Sequence, residues 1–438
     1  MLTLVGSMNF SNLSTDQAPP LAVPITYFAV VPWALASAGI LLLIHPELLA
    51  DHWSPITLAW THMGTLGLLL APMLGALEQI LPVLLGSPVQ PIISNYYTIG
   101  LLVIAMTALT IGWLLAMPVA LWVASSSLAI SLLGLTWPLA MALLRSSVRS
   151  PTAVAMKGAW ICLIVLVLLG LRLLLGHATG LWPTDRQGLL AAHIVVALLG
   201  WVGTLTMAVA WHVVPMFYLT PPMAKRSTTI LAVGVPSCVI ITAALAGIGA
   251  PVTAIVGLAL PAAVVVWLVH PWQVIHMLGK RKRKRADPSL LFWQMSMLLG
   301  PAVFIVAAVT VLSQVPMWPM LLGWLAIFGW AGGMVHGMMS RIIAFLLWFH
   351  RYAARTGLED VPTMKGLLPD QQVRANFYVH VGTLLVGVHA IASGSRLSAQ
   401  ATGIALIITS IAWNLLIWLP FWRAHRHDSQ GLEARTAS

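Results

Sequence analysis

Long apolar stretches, broken at short intervals by proline, glycine or small groups of charges, run along almost the whole chain. About 20 mostly apolar residues carry a helix across a bilayer. Twelve stretches meet that length: 24–44, 56–85, 97–117, 118–143, 155–176, 188–218, 228–249, 251–278, 288–313, 318–350, 371–393 and 399–422. A segment in lipid must satisfy its own backbone hydrogen bonds, which favours the helix. The pattern therefore predicts an all-α membrane protein of twelve spans. They form a single membrane domain over 23–423, with a short N-terminal lead-in at 1–22 and a tail at 424–438. The lead-in has neither the basic start nor the apolar core of a cleaved signal peptide. The connections inside 97–143 and 228–278 are very short, so span ends there are weakly specified.

Composition agrees. Of 438 residues, 59% are hydrophobic and 8% charged, against about 25% charged in soluble domains. The formal net charge of +11 lies in alternate short loops, after spans 4, 6, 8 and 10, and in the tail. Basic loops face the cytoplasm, so both termini are expected there. The run "KRKRKR" at 280–285 reads as a loop touching anionic lipid rather than nucleic acid. Cys162 and Cys238 lie inside apolar runs, where neither a disulfide nor a thiolate metal site is expected.

Spans 2, 6 and 10 are long and resemble one another. Aligning "EQILP", "WHVVP" and "SRIIA" places Gln79, His212 and Arg341 at matching positions, roughly 130 residues apart. Three units of four helices would give twelve. The small residues Gly64, Gly67, Gly75, Gly200, Gly203, Gly332 and Gly333 would let these helices pack closely or leave room for a flat cofactor.

Polar groups inside lipid are costly and mark function by default. Of fourteen histidines, His45, His52, His425 and His427 fall in loops or the tail. His177, His270 and His276 lie near span ends. His62, His193, His212, His336, His350, His380 and His389 belong to spans. A lone imidazole is often no more than a side chain bonded to a backbone carbonyl; several at one depth suggest a site. At 1.5 Å per residue, His62 and His193 share an outer level, while His336 and His380 lie near mid-span. His193 and His212 are separated by about 28 Å along one helix and cannot serve one site. His380 and His389 face opposite ways. Ligands must therefore come from different helices, and neutral imidazole suits metals and haem iron. Met334, Met338 and Met339 around His336 raise copper as a possibility, against the plainer role of methionine as gap filler. Glu78 and Arg341 are the charges deepest in spans, placed to pair with each other, to gate a proton path or to face haem propionates. His212, His389 and Glu78 are the candidate metal ligands.

Twelve spans, a threefold repeat and core histidines on spans 2, 6 and 10 resemble subunit I of the haem–copper oxidases. The stretches "HMGTLG…GALEQILP" and "HIVVALLGWVGTLTMAVAWHVVP" are similar to helices of its nitric-oxide-reductase-like and C-type branches, and to the NnrS family. That resemblance implies a bacterial inner-membrane protein with haem b. Its haem is held by His62 with His193, or with His336 or His380, and Arg341 lies near the propionates. Copper is a further option. The implied partners are a quinol or cytochrome as electron donor, and nitric oxide or oxygen as gaseous ligand. Span 7 has no histidine and span 6 no His-x-x-x-Tyr, so a complete oxygen-reducing haem–copper centre is not expected. Two other classes stay open. One is a transporter whose intramembrane His and Arg side chains move protons or metal; the other is a non-catalytic haem sensor or respiratory assembly factor.

Overall fold

The computed structural model describes residues 17–85, 92–182, 186–282 and 287–437. Twelve helices are long and apolar enough to cross a membrane: Ala22–Ile44, Pro55–Leu84, Ile93–Leu114, Pro118–Arg145, Pro151–Thr179, Arg186–Tyr218, Lys225–Gly247, Val252–Gly279, Ser289–Leu312, Met317–Arg355, Asp370–Ser393 and Arg396–Gln430. The protein is an all-α, multi-pass membrane protein, and the described residues form no strand. Of the expected features, most of the lead-in and positions 283–285 of the basic run lie outside the described residues. The last helix continues without a break to Ala437.

Local chemistry sets the span ends. Ser54 and Ser150 cap spans 2 and 5, their hydroxyls accepting the Thr57 and Ala153 N–H groups. Pro55 and Pro151 follow at the first helical position, where the missing N–H costs nothing. Spans 5 and 11 end at Gly180 and Gly394, whose φ of 74° and 62° lies in the left-handed region that stops a helix. The two tight connections differ. Spans 7 and 8 turn through Gly249 at φ 77°, whereas spans 3 and 4 turn through Ala116, a side-chain-bearing residue at φ 50°.

Five spans contain a π-helical segment: Met63–Leu70 in span 2, Ala129–Leu135 in span 4, Val196–Gly203 in span 6, Val265–Val269 in span 8 and Trp324–Gly332 in span 10. Those of spans 2, 6 and 10 open at Met63, Val196 and Trp324. That keeps, within one residue, the register aligning Gln79, His212 and Arg341, so the internal repeat is visible in backbone form. π segments are rare and concentrate at functional sites. Span 12, the counterpart of spans 4 and 8, has none.

The chain divides into two compact units. The first comprises the described residues of 77–285 and 297–308, together with 17–19. Its glycines serve close packing. A Cβ on Gly158 would lie 2.6 Å from Pro236, one on Gly200 2.9 Å from Val239, and one on Gly203 2.8 Å from Val266. The second unit comprises Pro20–Ala76, Ala286–Ser296 and Val309–Ser438. Here spans 1 and 12 touch backbone to backbone: a Cβ on Gly39 would sit 2.6 Å from the Gly403 carbonyl oxygen, and one on Gly403 2.7 Å from that of Gly39. Ser410 adds a hydrogen bond of 2.6 Å to the Pro32 carbonyl.

Candidate functional site: a buried histidine pair

In the second unit, spans 9 to 12 enclose two imidazoles. His336 of span 10 is 0% exposed and His380 of span 11 is 1% exposed. Their Nδ1 atoms are 3.3 Å apart. His336 Nε2 lies 3.2 Å from Asn376 Oδ1, and Asn376 Nδ2 donates to the Gln372 carbonyl at 2.9 Å. Aromatic rings wall the pair. Phe328 stacks on His380 at 4.4 Å between centroids, Trp413 stacks on His336 at 4.3 Å, and Phe292 lies 4.7 Å from His336. The stack continues from Phe328 to Trp324 at 4.6 Å and from Trp324 to Trp60 at 5.7 Å. Trp324 is seated in the gap left by Gly387, and its Nε1 donates to the Leu384 carbonyl.

The hydrogen bonds fix the neutral tautomers. A backbone carbonyl only accepts, so the Asn376 amide must turn its NH2 to Gln372 and its oxygen to His336. His336 then carries its proton on Nε2 and presents a lone pair at Nδ1. His380 must donate from Nδ1, which leaves a lone pair on its Nε2. Its Nε2 has no hydrogen-bond partner among the described residues.

His336 and His380, expected at mid-span on different helices, are thus brought together. His389, expected on the opposite face, is exposed while His380 is buried. Arg341 forms its ion pair with Asp287, at the start of span 9; Asp287 Oδ1 also accepts the Ser289 N–H at 2.9 Å. Glu78 belongs to the first unit, where its carboxyl accepts a hydrogen bond from the Asn95 side chain.

His62 belongs to the second unit and His193 to the first. The His62 Nδ1–H donates to the Leu58 carbonyl at 2.8 Å, which makes Nε2 its lone-pair nitrogen. The His62 side chain is half-buried. The His193 ring lies against span 5, where a Cβ on Gly170 would meet it at 3.0 Å. His212 is half-buried on span 6. Among the described residues, no three His, Cys, Asp or Glu side chains gather as a metal site. At two of the glycines expected to leave room for a flat cofactor the space is taken: Ile327 lies 3.2 Å from a Cβ on Gly64, and Leu68 lies 3.1 Å from one on Gly332.

Four residues were not singled out from sequence: Asn376, Ser296, Asp287 and Asn95. Asn376 and Asp287 stand close to span ends, where polar residues are unremarkable, and no local pattern names their partners. His270, read as flanking a span end, is 0% exposed, and neither of its ring nitrogens has a hydrogen-bond partner among the described residues.

No family model matches the chain, and no curated protein matches it significantly.

Proposed function

We propose that the protein is a haem-binding redox protein of the bacterial inner membrane, with His62 as axial ligand and both termini cytoplasmic. The observation that carries this reading is the state of His62. A ligating histidine characteristically donates its other ring N–H to a carbonyl or carboxylate, which sets tautomer and orientation. Leu58 supplies that carbonyl, and the half-buried ring keeps part of its surface accessible. The π segment opening at Met63 directly follows the proposed ligand.

His336 and His380 do not fit an axial pair. Their nitrogens are at hydrogen-bond distance with no layer between them, and both His336 nitrogens are engaged. The His193 ring, on span 6, rests against Gly170 of span 5, and the Arg341 guanidinium is held by Asp287. For copper, the described His, Cys, Asp and Glu side chains do not gather in threes. Bound haem b would supply one-electron or gas chemistry with nitric oxide or oxygen, fed by a quinol or cytochrome. The chain's own part is to orient the His62 ring through Leu58 and to exclude water with the apolar side chains of spans 2 and 10.

A second reading, a proton-coupled transporter, is favoured by the meeting of His336 and His380 in the bundle. The absorption spectrum separates the two. Purified protein, expressed with haem supplementation and reduced with dithionite, is expected to show a Soret band and sharp alpha and beta bands. His62→Ala is expected to abolish them while the protein stays monodisperse. A colourless wild-type protein would end the haem reading.

A further inference from the structure

Span 4 is interrupted at one point. Its π segment ends at Leu135. Thr136 then leaves helical geometry, with φ −85° and ψ 1°, and an α-helix restarts at Trp137. Pro138 explains the break, because it has no N–H to give the Gly134 carbonyl four residues back. Span 8 carries the same device, a π segment ending at Val269 and then Pro271. The neighbouring spans meet it differently. Span 9 closes on span 8 through Gly300, where a Cβ would lie 2.7 Å from the Trp267 carbonyl oxygen and 2.8 Å from Pro271. Span 5 meets span 4 with the bulky side chains of Trp160 and Ile164, and a cavity of about 210 Å³ remains between the two helices.

Leu132, Leu133, Thr136 and Trp137 line its span 4 side. The lining is hydrocarbon and indole apart from Thr136, whose hydroxyl donates to the Leu132 carbonyl at 2.6 Å. Trp137 is 53% exposed, and Leu133 and Ile164 are half-buried, so the cavity opens as a groove on the outer face of the helices. It is smaller than the pockets of about 300–1,000 Å³ that take drug-sized ligands. A stretch of one flexible apolar chain suits it.

Charge decides which chain. Lys157, Trp160 and Ile164 follow one stripe of span 5, at i, i+3 and i+7. Lys157 therefore continues the groove toward the start of span 5, about 4.5 Å from Trp160 along the axis. Its ammonium donates to the Ser146 carbonyl at 2.9 Å, which uses one of its three N–H groups and holds it beside the end of span 4. Arg145 and Arg149 are exposed in the same connection. No Asp or Glu occurs between positions 79 and 184. Among the described residues, no ion pair engages any of these three cations. Basic pockets between spans are where anionic headgroups bind.

We propose that the groove between spans 4 and 5 binds an anionic phospholipid. One acyl chain lies along Trp160 and Ile164, and the phosphate sits at Lys157, Arg145 and Arg149. A zwitterionic lipid offers the same chain but adds a cation of its own to these three. The site is independent of haem at His62, which belongs to the other unit.

The test is native mass spectrometry of the delipidated full chain, titrated with phosphatidylglycerol or with phosphatidylcholine of the same acyl chains. One phosphatidylglycerol is expected to bind at least about tenfold more tightly than phosphatidylcholine. Lys157→Gln and Arg145→Gln should each weaken it about fivefold, the effect of one basic residue near the headgroup, and leave phosphatidylcholine unchanged. Leu133→Trp and Ile164→Trp fill the groove from either wall and should weaken both lipids, with thermal unfolding confirming that each variant is folded. Glycerol phosphate, which has the headgroup chemistry without a chain, should not displace the lipid. Equal binding of the two lipids would overturn the proposal. So would unchanged phosphatidylglycerol binding when Lys157 and Arg145 are both replaced, or in a folded variant with the groove filled. Displacement by glycerol phosphate would also overturn it, because the headgroup alone would then suffice.

Discussion

Replacing Asp287 with alanine is expected to lower the unfolding free energy by about 3 kcal/mol, the lower end for removing one partner of a buried ion pair. Arg341 then keeps its charge with its side chain only 19% exposed, and the Ser289 N–H at the start of span 9 loses its acceptor. The lower end applies because both side chains retain some exposure. The pair itself need not be strongly stabilising, since apolar replacements of both partners are often tolerated. The double variant Asp287→Leu with Arg341→Met is therefore expected to recover most of the loss. Thermal unfolding in detergent, followed by the fluorescence of the 20 tryptophans, reads both. An Asp287→Ala protein as stable as the wild type would show that Arg341 finds another partner.

The second large effect is expected at Gly39. A methyl group there would meet the Gly403 carbonyl oxygen at 2.6 Å and Ile407 Cγ1 at 2.8 Å. The first obstacle is backbone and cannot swing aside. Gly39→Ala should cost about 2 kcal/mol by overpacking, and Gly39→Leu should prevent spans 1 and 12 from docking. Gly100 is the control, because a Cβ there meets nothing within 4 Å. Gly100→Ala should be neutral or gain up to about 1 kcal/mol from helix propensity. Equal responses at the two positions would show that the Gly39–Gly403 contact is not formed in the folded protein.

The spans were readable from sequence because lipid imposes one rule on every residue of a segment. Expected and observed ends differ by no more than four residues except at the ends of the tenth and last spans, where the helix runs on. The repeat register was readable from three short motifs, and the π segments keep it. The site was readable only in part. His336 and His380 announced themselves as histidines at mid-span. Asn376, which fixes their tautomers, looked like an ordinary polar residue near a helix end. Arg341 was conspicuous, but its partner Asp287 sits 54 residues away, beside a run of opposite charge, and nothing local joins them. The glycines were legible as small residues, but not whether a cofactor or a neighbouring side chain fills the space above them. That depends on which helices meet, a matter of tertiary packing.

The contact between the first and last spans has a consequence for biogenesis. The second unit is built from segments far apart in the chain, so span 1 emerges from the ribosome and waits in the membrane until its distant partner, span 12, is made. Until span 12 is made, Gly39 faces lipid and the ring of Trp413 is not there to cover His336. The first unit, continuous from Leu77 to Arg285, has most of its chain long before. Loss of the last span should therefore leave a protein that inserts and folds in its middle but never closes around its histidines, a natural target for membrane quality control.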